Sequence, residues 1–316
     1  MSAAPVFIQP AGHVLDISDW DEDEDYPINP IGQKPKQHFI CPIVPPKNYL
    51  IGGRRYMFKT PVGRSVQQVW SEVIAYQLAQ HAGIVVPPAY IAKHNFRKHG
   101  CGVLIEFFLG PTHDPGVSLL HASDRFQARN ITFDEKQGSL RENVILTKQH
   151  GIVSGATWWA RTIVFDALIG NTDRHSQNWG FLKRRSVGSQ VVYEMAPVFD
   201  NGSSLGSVVR DSDLESHMRP ERFQKFVDKG RHHFSWLQMD GASRQFARLP
   251  GFYATKFPSL RPAMLEVARI SDDQIDTILR WCVEFTFPIS FTPARAEFVS
   301  RLLRARRDSL LTELRC

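Results

Sequence analysis

Apolar residues recur at three- and four-residue spacing from Ser65 to His81, at Val66, Val69, Trp70, Val73, Ile74 and Leu78. That period predicts an amphipathic helix, with Ser65 as its N-cap and Gly83 as its C-cap. Upstream, residues 37–59 read as strands. Tyr49-Leu50-Ile51, Gly52-Gly53 and Arg54 to Lys59 predict a hairpin closed by a two-residue glycine turn. Downstream, Ala89 to Lys93 reads as a strand, and Gly102 to Leu109 as a buried strand ended by Pro111. The pattern then becomes mostly helical. Thr157 to Ile169 predicts a helix stopped at Gly170-Asn171. Trp179 to Lys183 and Gln190 to Glu194 predict a second hairpin around the polar turn Arg184 to Ser189. Further helices are expected near 220–230, 272–286 and 293–314, and no internal repeat is present. The layout is α+β and bilobal. A small strand-rich lobe spans 31–109, a larger helical lobe spans 110–316, and the seam lies near 106–112. Pockets form at such seams.

The chain has 316 residues, 42% hydrophobic and 22% charged, enough for a sizeable core. Its longest apolar runs are too short to cross a bilayer. No basic segment followed by an apolar run opens the chain, so no signal peptide is expected. A cytoplasmic or nucleocytoplasmic setting is the default. The four cysteines, Cys41, Cys101, Cys282 and Cys316, are far apart, which argues against a zinc site or a disulfide framework.

Charge divides the chain unevenly. The net charge is +6, yet Asp16 to Asp25 holds seven acidic residues and no Lys or Arg precedes Lys34, leaving about +13 on the rest. Residues 1–30 are therefore expected to be loosely ordered and solvated. The alternative is an inhibitory arm folded onto the basic body. That body suits nucleotide phosphates, an acidic partner, an anionic membrane or nucleic acid, or is simply a solvated surface.

The chemistry gathers in Asn171-Thr-Asp173-Arg174-His175-Ser-Gln-Asn178 and Ala196-Pro-Val-Phe-Asp200-Asn-Gly202. Asp173 follows a helix end and can accept the proton of an attacking hydroxyl. On its own it reads as a surface carboxylate paired with Arg174. Asn178 opens a hairpin and Asp200 follows its second strand, so the two become neighbours. An amide oxygen beside a carboxylate suits magnesium; the bland reading of Asp200-Asn201-Gly202 is an Asx turn. His175 either orients Asp173 or touches the phosphates, or it is packed and hydrogen-bonded within its loop. Lys59 ends a strand and Glu72 lies on the next helix, an order that lets lysine bind phosphates while glutamate holds it. No GxGxxG precedes Lys59; Gly32 to Lys36 and Val44 to Asn48 are the candidate phosphate loops.

With these segments, with Glu72 and the later Gly83-Ile-Val-Val-Pro87, and with Ile105-Glu106-Phe107-Phe108 at the seam, the chain resembles the HipA-like serine/threonine kinases. That family belongs to a kinase-like superfamily shared with the phosphoinositide lipid kinases. The resemblance spans roughly residues 40–310. It implies a bilobal protein-kinase-like fold with ATP and magnesium as cofactors. It also implies that Asp173 is the catalytic base, beside which His175 is a further candidate catalytic residue, and that Asn178 and Asp200 ligate the metal. Lys59 with Glu72 would meet the phosphates, and the backbones of Glu106 and Phe108 would meet adenine. A protein substrate such as a translation factor and an antitoxin-like partner are further implications. The chain departs from the full-length toxins in carrying a short acidic stretch where they have a long N-terminal subdomain. Its candidate phosphate loops also lack the serine that family members can autophosphorylate. A lipid or small-molecule kinase is the alternative. A basic scaffold or nucleic-acid-binding pseudokinase is the alternative of another class, although no nucleic-acid motif of the usual kinds is present.

Overall fold

Period-two alternation in the first third of the chain builds a six-stranded sheet. The computed structural model describes residues 9–23, 36–61, 63, 65–97, 100–109, 117–128, 139–185, 191–237 and 240–315. The first elements are β1 (Leu15–Asp16), β2 (Asp21–Glu22), β3 (Lys36–Ile40), β4 (Arg55–Lys59), α1 (Gln68–Ala82), β5 (Ala89–Lys93) and β6 (Cys101–Glu106). The sheet order is β1-β5-β6-β4-β3-β2. Only β1 with β5 is parallel. Alternation sorts the faces. Tyr56, Phe58 and Leu104 join a cluster with Leu15, Ile17, Trp20 and Phe39. Val103 and Ile105 join the main core with α1. α1 ends at Gly83, whose φ of 61° is the left-handed cap geometry that glycine adopts without steric cost.

The second part begins with a three-stranded sheet, β7 (Val117–His121), β8 (Gly180–Arg185) and β9 (Val191–Met195), in that order. The helices of this part are α2 (Ala122–Gln127), α3 (Leu140–Gln149), α4 (Gly155–Ile169), α5 (Leu214–Met218), α6 (Pro220–Asp228), α7 (Arg248–Lys256), α8 (Arg261–Ala268), α9 (Asp272–Val283) and α10 (Pro293–Arg315). α4 is apolar nearly all round, as a central helix must be. Trp159, Ile163, Val164, Phe165, Leu168 and Ile169 on it are all at 0% exposure. Truncating Trp159 to alanine would cost about 3–5 kcal/mol. α4 stops at Gly170, with φ 68°. A Cβ there would stand 2.1 Å from the Arg306 guanidinium, which reaches across from α10 to donate to the Ile169 carbonyl at 3.0 Å.

Several expectations need correction. Residues 9–23 are not a loose arm. Leu15, Ile17 and Trp20 are buried, β1 and β2 extend the sheet at both edges, and Asp23 pairs with Arg55. Three apolar side chains spaced among the acids supply the burial that a wholly charged run lacks. The strand-rich lobe therefore includes this stretch. Glu24, Asp25 and the rest of 24–35 lie outside the described residues. The first hairpin pairs β3 with β4, Ile40 opposite Arg55, so Tyr49-Leu50-Ile51 is not a strand. Gly52-Gly53 instead closes the connecting loop against Cys41 and Ile43, where a Gly52 Cβ would meet the Ile43 carbonyl oxygen at 2.0 Å. Tyr49 and Leu50 fold onto the outer cluster. Ser65 is not the N-cap of α1; its carbonyl accepts the Gln68 N–H at 3.1 Å in the preceding turn, and Gln67 takes the cap position. The strand over Gly102 to Leu109 ends at Glu106. β7, α2, α3, α5, α7 and α8 have no counterpart among the expected elements.

Candidate active site

Lys59 is the last residue of β4 and shares the α1-side face of the sheet with Met57. Glu72, in the second turn of α1, points back at it. Lys59 Nζ lies 2.8 Å from Glu72 Oε1 and 2.9 Å from Asp200 Oδ1. Glu72 Oε2 accepts the Asn201 N–H at 3.0 Å. Burial works against the Lys59 ammonium, but the Asp200 and Glu72 carboxylates outweigh it and hold its pKa above the ordinary lysine value. Lys59 is therefore a fixed cation across the physiological range.

The second half of the site hangs from the C-terminus of α4. Asp166, on its last turn, takes a two-nitrogen grip from Arg174, at 2.8 Å from Nη2 and 3.1 Å from Nε. Arg174 also donates to the carbonyls of Asn178 and Phe199 and to Asn201 Oδ1. One guanidinium thus ties helix α4 to both segments that carry the site. Its partner is Asp166, not Asp173 as local sequence suggested. Asn171 Oδ1 accepts the Asp173 N–H at 3.0 Å. The Asp173 side chain is left 46% exposed toward solvent. Ser203 Oγ donates to Asp173 Oδ2 at 3.3 Å, and His175 Nε2 stands 3.7 Å from Oδ1.

Asn178 donates its amide N–H to the Asp173 carbonyl at 2.7 Å, which turns its Oδ1 the other way. Asp200 has φ 58°, a conformation non-glycine residues adopt rarely. An amide oxygen and a carboxylate are hard oxygen donors of the kind that suit magnesium, and Asn178 and Asp200 are the residues that would hold it. Among the described residues no group of three or more His, Cys, Asp or Glu side chains could form a protein-only cage.

A cavity of about 530 Å³ joins these parts. Lys59, Glu72, Glu106, Phe108, Asp173, His175, Asn178 and Asp200 all line it. Its far wall is the stretch after β6. Glu106 N–H donates to the Pro88 carbonyl at 2.8 Å and Phe107 N–H to the Arg55 carbonyl at 3.0 Å. Pro87 and Pro88 have no N–H with which to take the Glu106 carbonyl. Burial raises the Glu106 carboxyl pKa, opposed by Arg54 at 3.3 Å. Val44 to Asn48 does not line the cavity, and Gly32 to Pro35 lies outside the described residues. Sequence reasoning missed Gln68, His121, Phe199 and Ser203 in the lining. Phe199, inside the segment that ends on Asp200, and the hydroxyl pair Ser203-Ser204 beyond it offered a signal.

Among the described residues no helix is long and apolar enough to cross a membrane. A stretch of 42 residues is 50% identical to the serine/threonine-protein kinase CtkA of Helicobacter pylori, covering 13% of this chain and only 12% of that kinase. The crystal structure of the H. pylori proinflammatory kinase CtkA superposes with a TM-score of 0.73 at 18% identity, over 96% of each chain. HipA of Shewanella oneidensis MR-1, solved with HipB and operator DNA, gives 0.50 at 15% identity, over 90% of this chain and 63% of that one. At such identities these two likenesses speak for the fold, which is α+β and kinase-like. Residues 32–269 match the HipA-like C-terminal domain, three quarters of the chain, and the chain belongs to that family.

Proposed function

We propose that this chain is an ATP- and magnesium-dependent kinase that phosphorylates serine or threonine hydroxyls of a protein, in the cytoplasm. The observation that carries the reading is Lys59, a half-buried cation held between Glu72 and Asp200 and facing Asp173 and Asn178 across one cavity. Phosphoryl transfer asks mainly for positioning and charge. Lys59 binds the phosphates, and Glu72 keeps it extended. The Glu106 carbonyl and the Phe108 backbone take the adenine edge. Magnesium, when bound by Asn178 and Asp200, neutralises charge on the phosphates. Asp173 accepts the proton of the acceptor hydroxyl as its oxygen bonds to the γ-phosphorus and the bond to ADP breaks. His175 and Ser203 hold the Asp173 carboxylate in place.

Radiolabel transfer from γ-labelled ATP tests this, with wild type and Asp200→Ala each incubated alone, with cell lysate and with lipid vesicles. Magnesium-dependent label on protein, seen with wild type only, is expected. Label confined to lipid would shift the reading to a lipid kinase. Absence of ATP binding would return the chain to a scaffold.

A further inference from the structure

The acidic stretch that the sequence sets apart reaches the adenine end of the cavity. β2 pairs with β3, and Asp23 continues that pairing with its N–H on the His38 carbonyl at 2.8 Å. Its carboxylate accepts from Arg55 Nε at 2.6 Å, and both side chains are nearly buried, at 10% and 6% exposure. Arg55 in turn holds Phe107 twice. Its carbonyl accepts the Phe107 N–H at 3.0 Å, and its guanidinium lies 5.7 Å from the centre of the Phe107 ring. His38 meets the same ring edge-on at 5.2 Å. Phe107 stacks on Phe108 at 5.8 Å, and Phe108 packs against Phe199 at 5.6 Å. Phe107, Phe108 and Phe199 all line the cavity.

We propose that Asp23 and Arg55 are positioning residues that hold the Glu106–Phe108 edge in the geometry that receives the adenine ring. This rests on the kinase reading above. The physical reason is that a guanidinium has several directions to point, and a buried carboxylate selects one of them. With Asp23 neutralised, the charge that aims the Arg55 guanidinium is lost, and its hold on the Phe107 ring weakens. The phosphate end is held by a separate set of ion pairs, Lys59 with Glu72 and with Asp200, and is expected to keep its geometry.

The test compares two ligands, ADP and inorganic tripolyphosphate, on wild type, Asp23→Asn and Arg55→Lys, with calorimetry for affinity and circular dichroism for fold. Asn is isosteric with Asp, so the first variant keeps the strand. Both variants are expected to bind ADP about tenfold more weakly and tripolyphosphate as wild type does. Faster amide exchange over 104–109 should accompany the loss. Unchanged ADP affinity in either folded variant overturns the proposal. So does an equal loss for both ligands, which would mark a general structural role. Failure of wild type to bind either ligand would instead sink the kinase reading and the inference with it. If both variants lose their fold, exchange in wild type decides: a Phe107 amide as labile as an exposed loop amide overturns the clamp.

Discussion

Arg174 and Asp166 form a two-nitrogen ion pair at 2.8 and 3.1 Å with the side chains 1% and 0% exposed. The pair fixes where the loop bearing Asp173 leaves helix α4. Removing one member strands the other charge in the core. Asp166→Ala is expected to lower the unfolding free energy by about 3–5 kcal/mol, measured by urea titration. A loss under about 1 kcal/mol would mean the loop does not depend on this pair.

Asp173 and Lys59 face the same cavity from opposite lobes and should separate kinetically. Asp173→Asn keeps the Asn171 bond to its backbone and removes only the carboxylate charge. Its kcat is expected to fall by about 10²–10⁴-fold while ATP affinity stays near wild type. Lys59→Met would remove the proposed phosphate contact and leave Glu72 and Asp200 without the ammonium between them, so ATP affinity should fall as well. Equal loss of ATP affinity in both variants would contradict the division of roles. Steady-state kinetics with a separate nucleotide-binding titration resolves the two quantities.

His232 predicts an acid limit to stability. It is 1% exposed, and its Nε2–H donates to the Phe246 carbonyl at 3.2 Å. Burial lowers its pKa to about 4, against a pull upward from Asp166. Below the ordinary histidine value of about 6.5 the unfolded chain takes up a proton that the native site refuses. This contribution is therefore complete above about pH 6.5 and is lost as pH falls to about 4, by about 3 kcal/mol in all. Denaturant titrations at pH 7, 5.5 and 4 should show a shallower pH slope in His232→Asn than in wild type. Parallel slopes would remove His232 from the account.

Much of the architecture is readable locally. The strand Ala89–Lys93 matches its apolar run, and the helix ending before Gly170 stops where glycine permits a left-handed turn. Asp173, Asn178 and Asp200 could be singled out from their order along the chain, and all three line one cavity. Less legible were elements whose burial depends on distant partners. β7 is a strand because β8 offers it a ladder, although its own residues are only partly buried. Residues 9–23 look like a solvated acidic arm until Trp20 finds Tyr56 at 5.6 Å and Asp23 finds Arg55.

The sequence by itself determined the periods of many elements, the α+β order and the polar residues proposed to carry the chemistry. Those properties rest on interactions within a few residues of chain. Only the tertiary structure decided which charges meet. Lys59 and Asp200 lie 141 residues apart, and Arg174 takes Asp166 in place of its neighbour Asp173. Such pairings follow from how the core packs and which carboxylates it buries. A buried charge must find a partner wherever the fold brings one within reach.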